Sequence, residues 1–98
     1  MINTTTQTII DQIGGSRFQT MTGVKQIAQI KDGVQFNFGK GSQGINTVLI
    51  TLNERDTYDL KFWRITAKTA KEIVGVGDIH AGELQGVFTN ITGLDTKL

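Results

Sequence analysis

The chain has 98 residues, a formal net charge of +1, 38% hydrophobic and 19% charged residues, one histidine and no cysteine. That size suits one domain, residues 1–98, with one modest core, and the composition excludes disulfides, thiol chemistry and any site built from several Cys or His ligands. The near-zero charge also removes the overall electrostatic footprint of a nucleic-acid binder.

No apolar run reaches the length of a transmembrane helix, and the N-terminal MINTTTQT lacks the basic start and apolar run of a signal peptide. The expectation is therefore a cytoplasmic protein without a membrane partner. Twelve glycines and no proline predict turns made through glycine.

Residues 4–13, TTTQTIIDQI, predict a first helix. A threonine oxygen can cap it, Ile9, Ile10 and Ile13 form one stripe, and Gly14-Gly15 ends it. Residues 16–25 read as a short helical turn or an irregular link that docks Phe18 and Met21 on the core. Residues 26–38 predict a hairpin turning at Asp32-Gly33. A three-residue loop, Lys31-Asp32-Gly33, would put Gly33 in the left-handed position and set Ala28 and Ile30 on the face of Val34, Phe36 and Phe38.

Gly39–Gly44 has the spacing G-x-G-x-x-G. A dinucleotide site needs a strand before that motif and a helix after it, whereas a strand follows here. A flexible connection between strands is the expected role, and no cofactor is expected.

The next two strands organise the chain. INTVLITL (45–52) and TYDLKFWRI (57–65) are rich in β-branched and aromatic residues. Pairing Leu52 with Tyr58, Ile50 with Leu60 and Val48 with Phe62 makes one face wholly apolar. The other face then carries Thr47, Leu49 and Thr51 against Trp63, Lys61 and Asp59. A slip of one residue would bury Asp59 and Lys61, so this register is predicted, with a three-residue loop centred on Arg55.

Residues 66–71 read as a loop or strand edge and 72–76 as a fifth, short strand. In 79–92, Leu84, Val87, Phe88 and Ile91 fall at i, i+3, i+4 and i+7, the apolar face of a helix. Asp78 is the expected N-cap and Gly93 the C-terminal stop. The predicted fold is α+β: a five-stranded antiparallel meander with an N-terminal and a C-terminal helix packed on one face.

Several stretches resemble a group of small uncharacterised proteins encoded by bacteriophages and mobile genetic elements. They are Gly14-Gly15-Ser16-Arg17-Phe18-Gln19-Thr20-Met21-Thr22-Gly23-Val24-Lys25, Gly44-Ile45-Asn46 running into Ile50-Thr51-Leu52, Asp56-Thr57-Tyr58, and Val87-Phe88 through Thr92-Gly93-Leu94 to Leu98. The resemblance implies a setting, the host cytoplasm, and no reaction or site residue.

Chemistry is sparse. His80, on or beside the predicted helix's apolar face, is expected as a partly buried structural residue, because no serine or carboxylate is placed beside it. Asp56 and Asp59 flank Tyr58 but fall short of the oxygens a hard cation needs. Lys61, Arg64, Lys68 and Lys71 surround Trp63 with no acid among residues 61–71, a pattern that suits phosphate contact with base stacking. Thr47 and Leu49 share the face of Trp63, and an apolar patch there suits a protein interface instead. The partner-binding candidates are Thr47, Leu49, Lys61, Trp63, Arg64, Lys68 and Lys71. The expectation is a non-enzymatic binding protein that acts through a protein partner or self-association. A nucleic-acid-binding accessory using the basic and aromatic residues is the alternative.

Overall fold

The computed structural model describes residues 4–39 and 44–94, with the side chains of Arg17 and Met21 outside that description. Helix α1 spans Thr4–Ile13 as expected and buries Ile9, Ile10 and Ile13. Gly14 (φ 128°) and Gly15 (φ 58°) follow in the positive-φ region that glycine enters cheaply. The chain then continues directly into α2, Gly15–Thr22, so the segment expected as a turn or link is an eight-residue helix. Its Phe18 is fully buried, and Gly23 ends it in the left-handed conformation with its N–H on the Gln19 carbonyl. The expected docking of Met21 lies outside the described side chains.

The sheet is a meander of β1 (Gln26–Ile30), β2 (Gly33–Asn37), β3 (Thr47–Leu52), β4 (Tyr58–Ile65) and β5 (Ala70–Ile79), adjacent in that order and antiparallel throughout. The β3–β4 register is the expected one, with Leu52 opposite Tyr58, Ile50 opposite Leu60 and Val48 opposite Phe62. Asn53 sets the intervening turn. Its Oδ1 accepts from the Arg55 and Thr57 amides at 2.9 and 3.2 Å, while Asp56 takes φ 60°, a conformation that Asp tolerates better than most residues.

The first hairpin differs from expectation. Its turn is the two residues Lys31-Asp32, Asp32 carries the positive φ of 57°, and Gly33 pairs with Ile30 inside the ladder. The reason lies in the neighbouring strand: a Cβ at Gly33 would stand 2.1 Å from the Ile50 carbonyl oxygen. Gly33 thus serves close approach rather than turn geometry. The shorter turn sets Ile27 opposite Phe36 and Gln29 opposite Val34. By alternation Ala28 and Ile30 move to the opposite face.

Strand β5 is longer than expected, and its register against β4 shifts twice. Asp78 belongs to it with φ 56° and does not cap a helix. Its carboxylate takes the Arg55 guanidinium at 2.8 Å and the Thr57 hydroxyl at 3.2 Å. Helix α3 starts later, spanning Leu84–Thr92 after a 3-10 turn at Ala81–Glu83, and stops at Gly93 (φ 75°). His80 is exposed rather than partly buried, because it precedes the 3-10 turn, where its backbone N–H donates to Glu83 Oε1 at 3.2 Å.

The core joins the apolar sides of the three helices to the Val34–Phe36, Val48–Ile50 and Leu60–Phe62 face of the sheet. Phe18 meets Phe36 and Phe88 edge-on at 4.9 and 5.0 Å. Phe88 also meets Phe38 at 5.2 Å and Phe62 at 6.2 Å. The Gln85 amide reaches across to the Ile13 carbonyl at 3.0 Å, which satisfies an orphan acceptor at the end of α1.

Candidate functional site

Two regions concentrate the chemistry expected of this chain. The first is the sheet face turned away from the core. The β3–β4 ladder sets Thr47 beside Trp63 and Leu49 beside Lys61, and β5 brings Glu72 to the other flank of Trp63. Trp63 and Leu49 are half-buried and Lys61 is exposed. Ala28 and Ile30, also half-buried, extend this face through β1. None of Ala28, Ile30, Leu49 and Trp63 belongs to the core cluster. Among the described residues the Trp63 indole N–H is shut off from solvent and meets no acceptor, and a buried donor left so costs about 1–3 kcal/mol.

Asn46 anchors this end of the ladder. Its N–H donates to the Trp63 carbonyl at 3.0 Å. Its side-chain amide donates to the Ile65 carbonyl at 2.8 Å and accepts from the Ile65 N–H at 3.0 Å. One side chain thus supplies both hydrogen bonds of a missing ladder residue to Ile65, next to the bond that holds the Trp63 carbonyl. The Thr47 hydroxyl donates to Asn46 Oδ1 at 3.1 Å. Thr47 itself is buried, with 1% exposure, so it supports this surface from beneath rather than presenting a contact.

The second region is the strand end formed by Lys25, Asn46, Arg64 and the 66–69 turn. Alternation turns Arg64 away from Trp63, to the other side of the sheet, and its register partner is Lys71. Lys25, Phe38, Gly44, Asn46, Arg64 and Thr66 line an open cavity of about 240 Å3. The Thr66 hydroxyl accepts from the amides of Lys68 and Thr69 at 3.3 and 3.1 Å, which closes the turn and leaves Lys68 exposed at its tip. The seven candidates therefore divide: Leu49, Lys61 and Trp63 share one surface over Thr47, while Arg64 and Lys71 face the other way and Lys68 sits in the turn. Ala28 and Ile30 were missed because the hairpin was read one residue too long. The Asp32-Gly33 pair suggested a left-handed Gly33, whereas the turn is Lys31-Asp32 and the positive φ falls on Asp32.

The acidic end offers less. Asn53, Glu54, Arg55, Asp59 and Asp78 line a cavity of about 300 Å3. Asn53 Nδ2 donates to Asp59 and Asp78 at 3.1 and 3.4 Å, and the Asp78 N–H donates to Asp59 at 3.3 Å. Among the described residues no group of three or more His, Cys, Asp or Glu is placed to hold a metal ion. Of the glycine-rich stretch, residues 40–43 lie outside the described residues, so its expected role as a connection stays at the level of sequence. Among the described residues no helix is long and apolar enough to cross a membrane. Compared with known proteins, the chain matches no family model, no curated protein and no solved structure.

Proposed function

We propose that this chain is a small non-enzymatic binding protein whose working surface is the sheet face centred on Trp63 and Leu49, and that its ligand is another protein. The observation that carries the reading is the half-buried pair Leu49 and Trp63, diagonal neighbours on β3 and β4 outside the core cluster, with Ala28 and Ile30 on the same face two strands away. Gln35 stands in register between Ala28 and Leu49, and Lys61 flanks Trp63 on β4. An apolar centre with an aromatic anchor and a polar surround is the anatomy of a protein interface. A nucleic-acid platform needs its cations beside its stacking ring, and here Arg64 and Lys71 face away from Trp63. The resemblance to phage and mobile-element proteins supplies the setting: host cytoplasm, with a host or defence factor as the natural target. The non-enzymatic reading rests on a sequence with one histidine, no cysteine and no paired-carboxylate motif.

The test combines affinity capture from host lysate, with and without nuclease, and sedimentation of the purified protein. A nuclease-resistant partner, or a self-associated species, lost in both Trp63→Ala and Leu49→Asp while circular dichroism is unchanged, supports the reading. A monomer whose Trp63 fluorescence is quenched by single-stranded DNA at low salt, with the quenching abolished at high salt, overturns it in favour of nucleic acid.

A further inference from the structure

We propose that the strand end lined by Lys25, Gly44, Asn46, Arg64 and Thr66, together with Lys71, is a phosphate-binding site. It lies on the far side of the sheet from Trp63 and stands independently of the protein-binding surface.

Three observations converge on it. Arg64 and Lys71 are register partners on adjacent strands, and like charges placed directly opposite each other destabilise a sheet. Among the described residues, no acid pairs with Lys25, Arg64, Lys68 or Lys71, and the one ion pair joins Arg55 to Asp78 at the other end of the strands. The acid nearest in sequence, Glu72, is drawn to the Trp63 face by the shift in the β4–β5 register. Its Oε2 lies 3.7 Å from the position a Cβ would take at Gly75, so the carboxylate leans along β5, away from Lys71. Glu72 therefore leaves the two cations unneutralised.

The third observation is steric. Gly44 has φ 77°, and a Cβ there would stand 3.1 Å from Arg64 Cδ and 3.2 Å from Arg64 Nε. The glycine lets the arginine stem lie against the chain, so its guanidinium is held at the cavity of about 240 Å3 that Lys25 also lines. A planar guanidinium with ammonium groups beside it is the donor set that phosphate oxygens accept from best. A bound phosphate would also remove the repulsion between Arg64 and Lys71. The shared chemistry is the phosphate group, whether from a free phosphate monoester or from a polynucleotide backbone.

The experiment titrates the 15N-labelled protein at low salt with inorganic phosphate in one arm and a short single-stranded oligothymidylate in the other. Expected are saturating shifts of the Gly44, Asn46 and Thr66 amides. Saturation by inorganic phosphate assigns a monoester site, and saturation by the oligonucleotide alone assigns a backbone-diester site; both support the proposal. Arg64→Gln and Lys71→Glu should each weaken binding about tenfold or more. Lys31→Ala, at the opposite end of the strands, and Trp63→Ala should leave it unchanged. Lys71→Glu places opposite charges across the strands, so its melting temperature should hold or rise, which separates lost binding from lost folding. Absence of a saturable shift with both probes, or a shift that survives Lys71→Glu and Arg64→Gln undiminished, overturns the proposal.

Discussion

Phe88→Ala tests the core most directly. The ring is fully buried and lies against Phe18, Phe38 and Phe62, contributed by α2, the residue after β2, and β4, with centroids at 5.0, 5.2 and 6.2 Å. Truncating a buried Phe costs about 3–5 kcal/mol through lost transfer energy and the cavity left behind. The two edge-on pairs add about 0.5–1.5 kcal/mol each beyond area burial, so the upper half of that range is expected. A domain of this size has roughly 5–15 kcal/mol in total. Each 1 kcal/mol moves its melting temperature by about 4–8 °C, so a loss of about 4–5 kcal/mol should make the variant melt roughly 16–40 °C lower. Circular dichroism and Trp63 fluorescence should report coincident transitions if unfolding is two-state. Val87→Ala, half-buried on the same helix, should cost about 1 kcal/mol. Equal and small losses in the two variants would refute the placement of α3 by its Phe88 edge.

Gly33→Ala should destabilise by about 1–3 kcal/mol or more, because its Cβ meets the Ile50 carbonyl oxygen and the Thr51 Cα of β3 rather than a movable side chain; a urea midpoint equal to wild type would contradict the close-approach argument. Asn46→Ala leaves the Ile65 N–H and carbonyl without their shared partner and should cost about 1–3 kcal/mol, read as a lower melting temperature and faster amide exchange at Ile65. Burial pushes the Tyr58 hydroxyl above its ordinary pKa of 10.0. Because the folded protein then favours the neutral phenol, its contribution to stability is fully present below pH 10 and is lost as pH rises through the raised value. Alkaline unfolding curves should show that loss in wild type and lack it in Tyr58→Phe.

The clearest sequence signals were those in which neighbouring residues all agree. Ile9, Ile10 and Ile13 share one helical stripe, and they are buried together. In 47–52 and 58–62 two period-2 patterns admit one register without buried charge, and that register is the observed one. The sheet surface around Trp63 follows from the same alternation. The first hairpin lacked such agreement. In Gln26-Ile27-Ala28-Gln29-Ile30 the two isoleucines take opposite faces in either register, so the pattern cannot choose between them. The choice falls to Gly33, whose missing side chain admits the Ile50 carbonyl of β3.

Asp78 shows the same division. By residue type it is a good helix cap, yet its carboxylate is claimed by Arg55 and Thr57 from a turn more than twenty residues earlier, and the helix starts downstream at Leu84. The basic residues near Trp63 follow suit. Alternation along β4 separates Arg64 from Lys61 and Trp63 without further information, but the position of Lys71 opposite Arg64 depends on the register shift between β4 and β5. Local periodicity and turn chemistry therefore determine the elements and the faces of single strands, because those depend on near neighbours along the chain. Tertiary structure alone decides which strand end gathers the cations that meet no acid among the described residues and which residues complete the face of Trp63, because both depend on backbone groups contributed by distant strands.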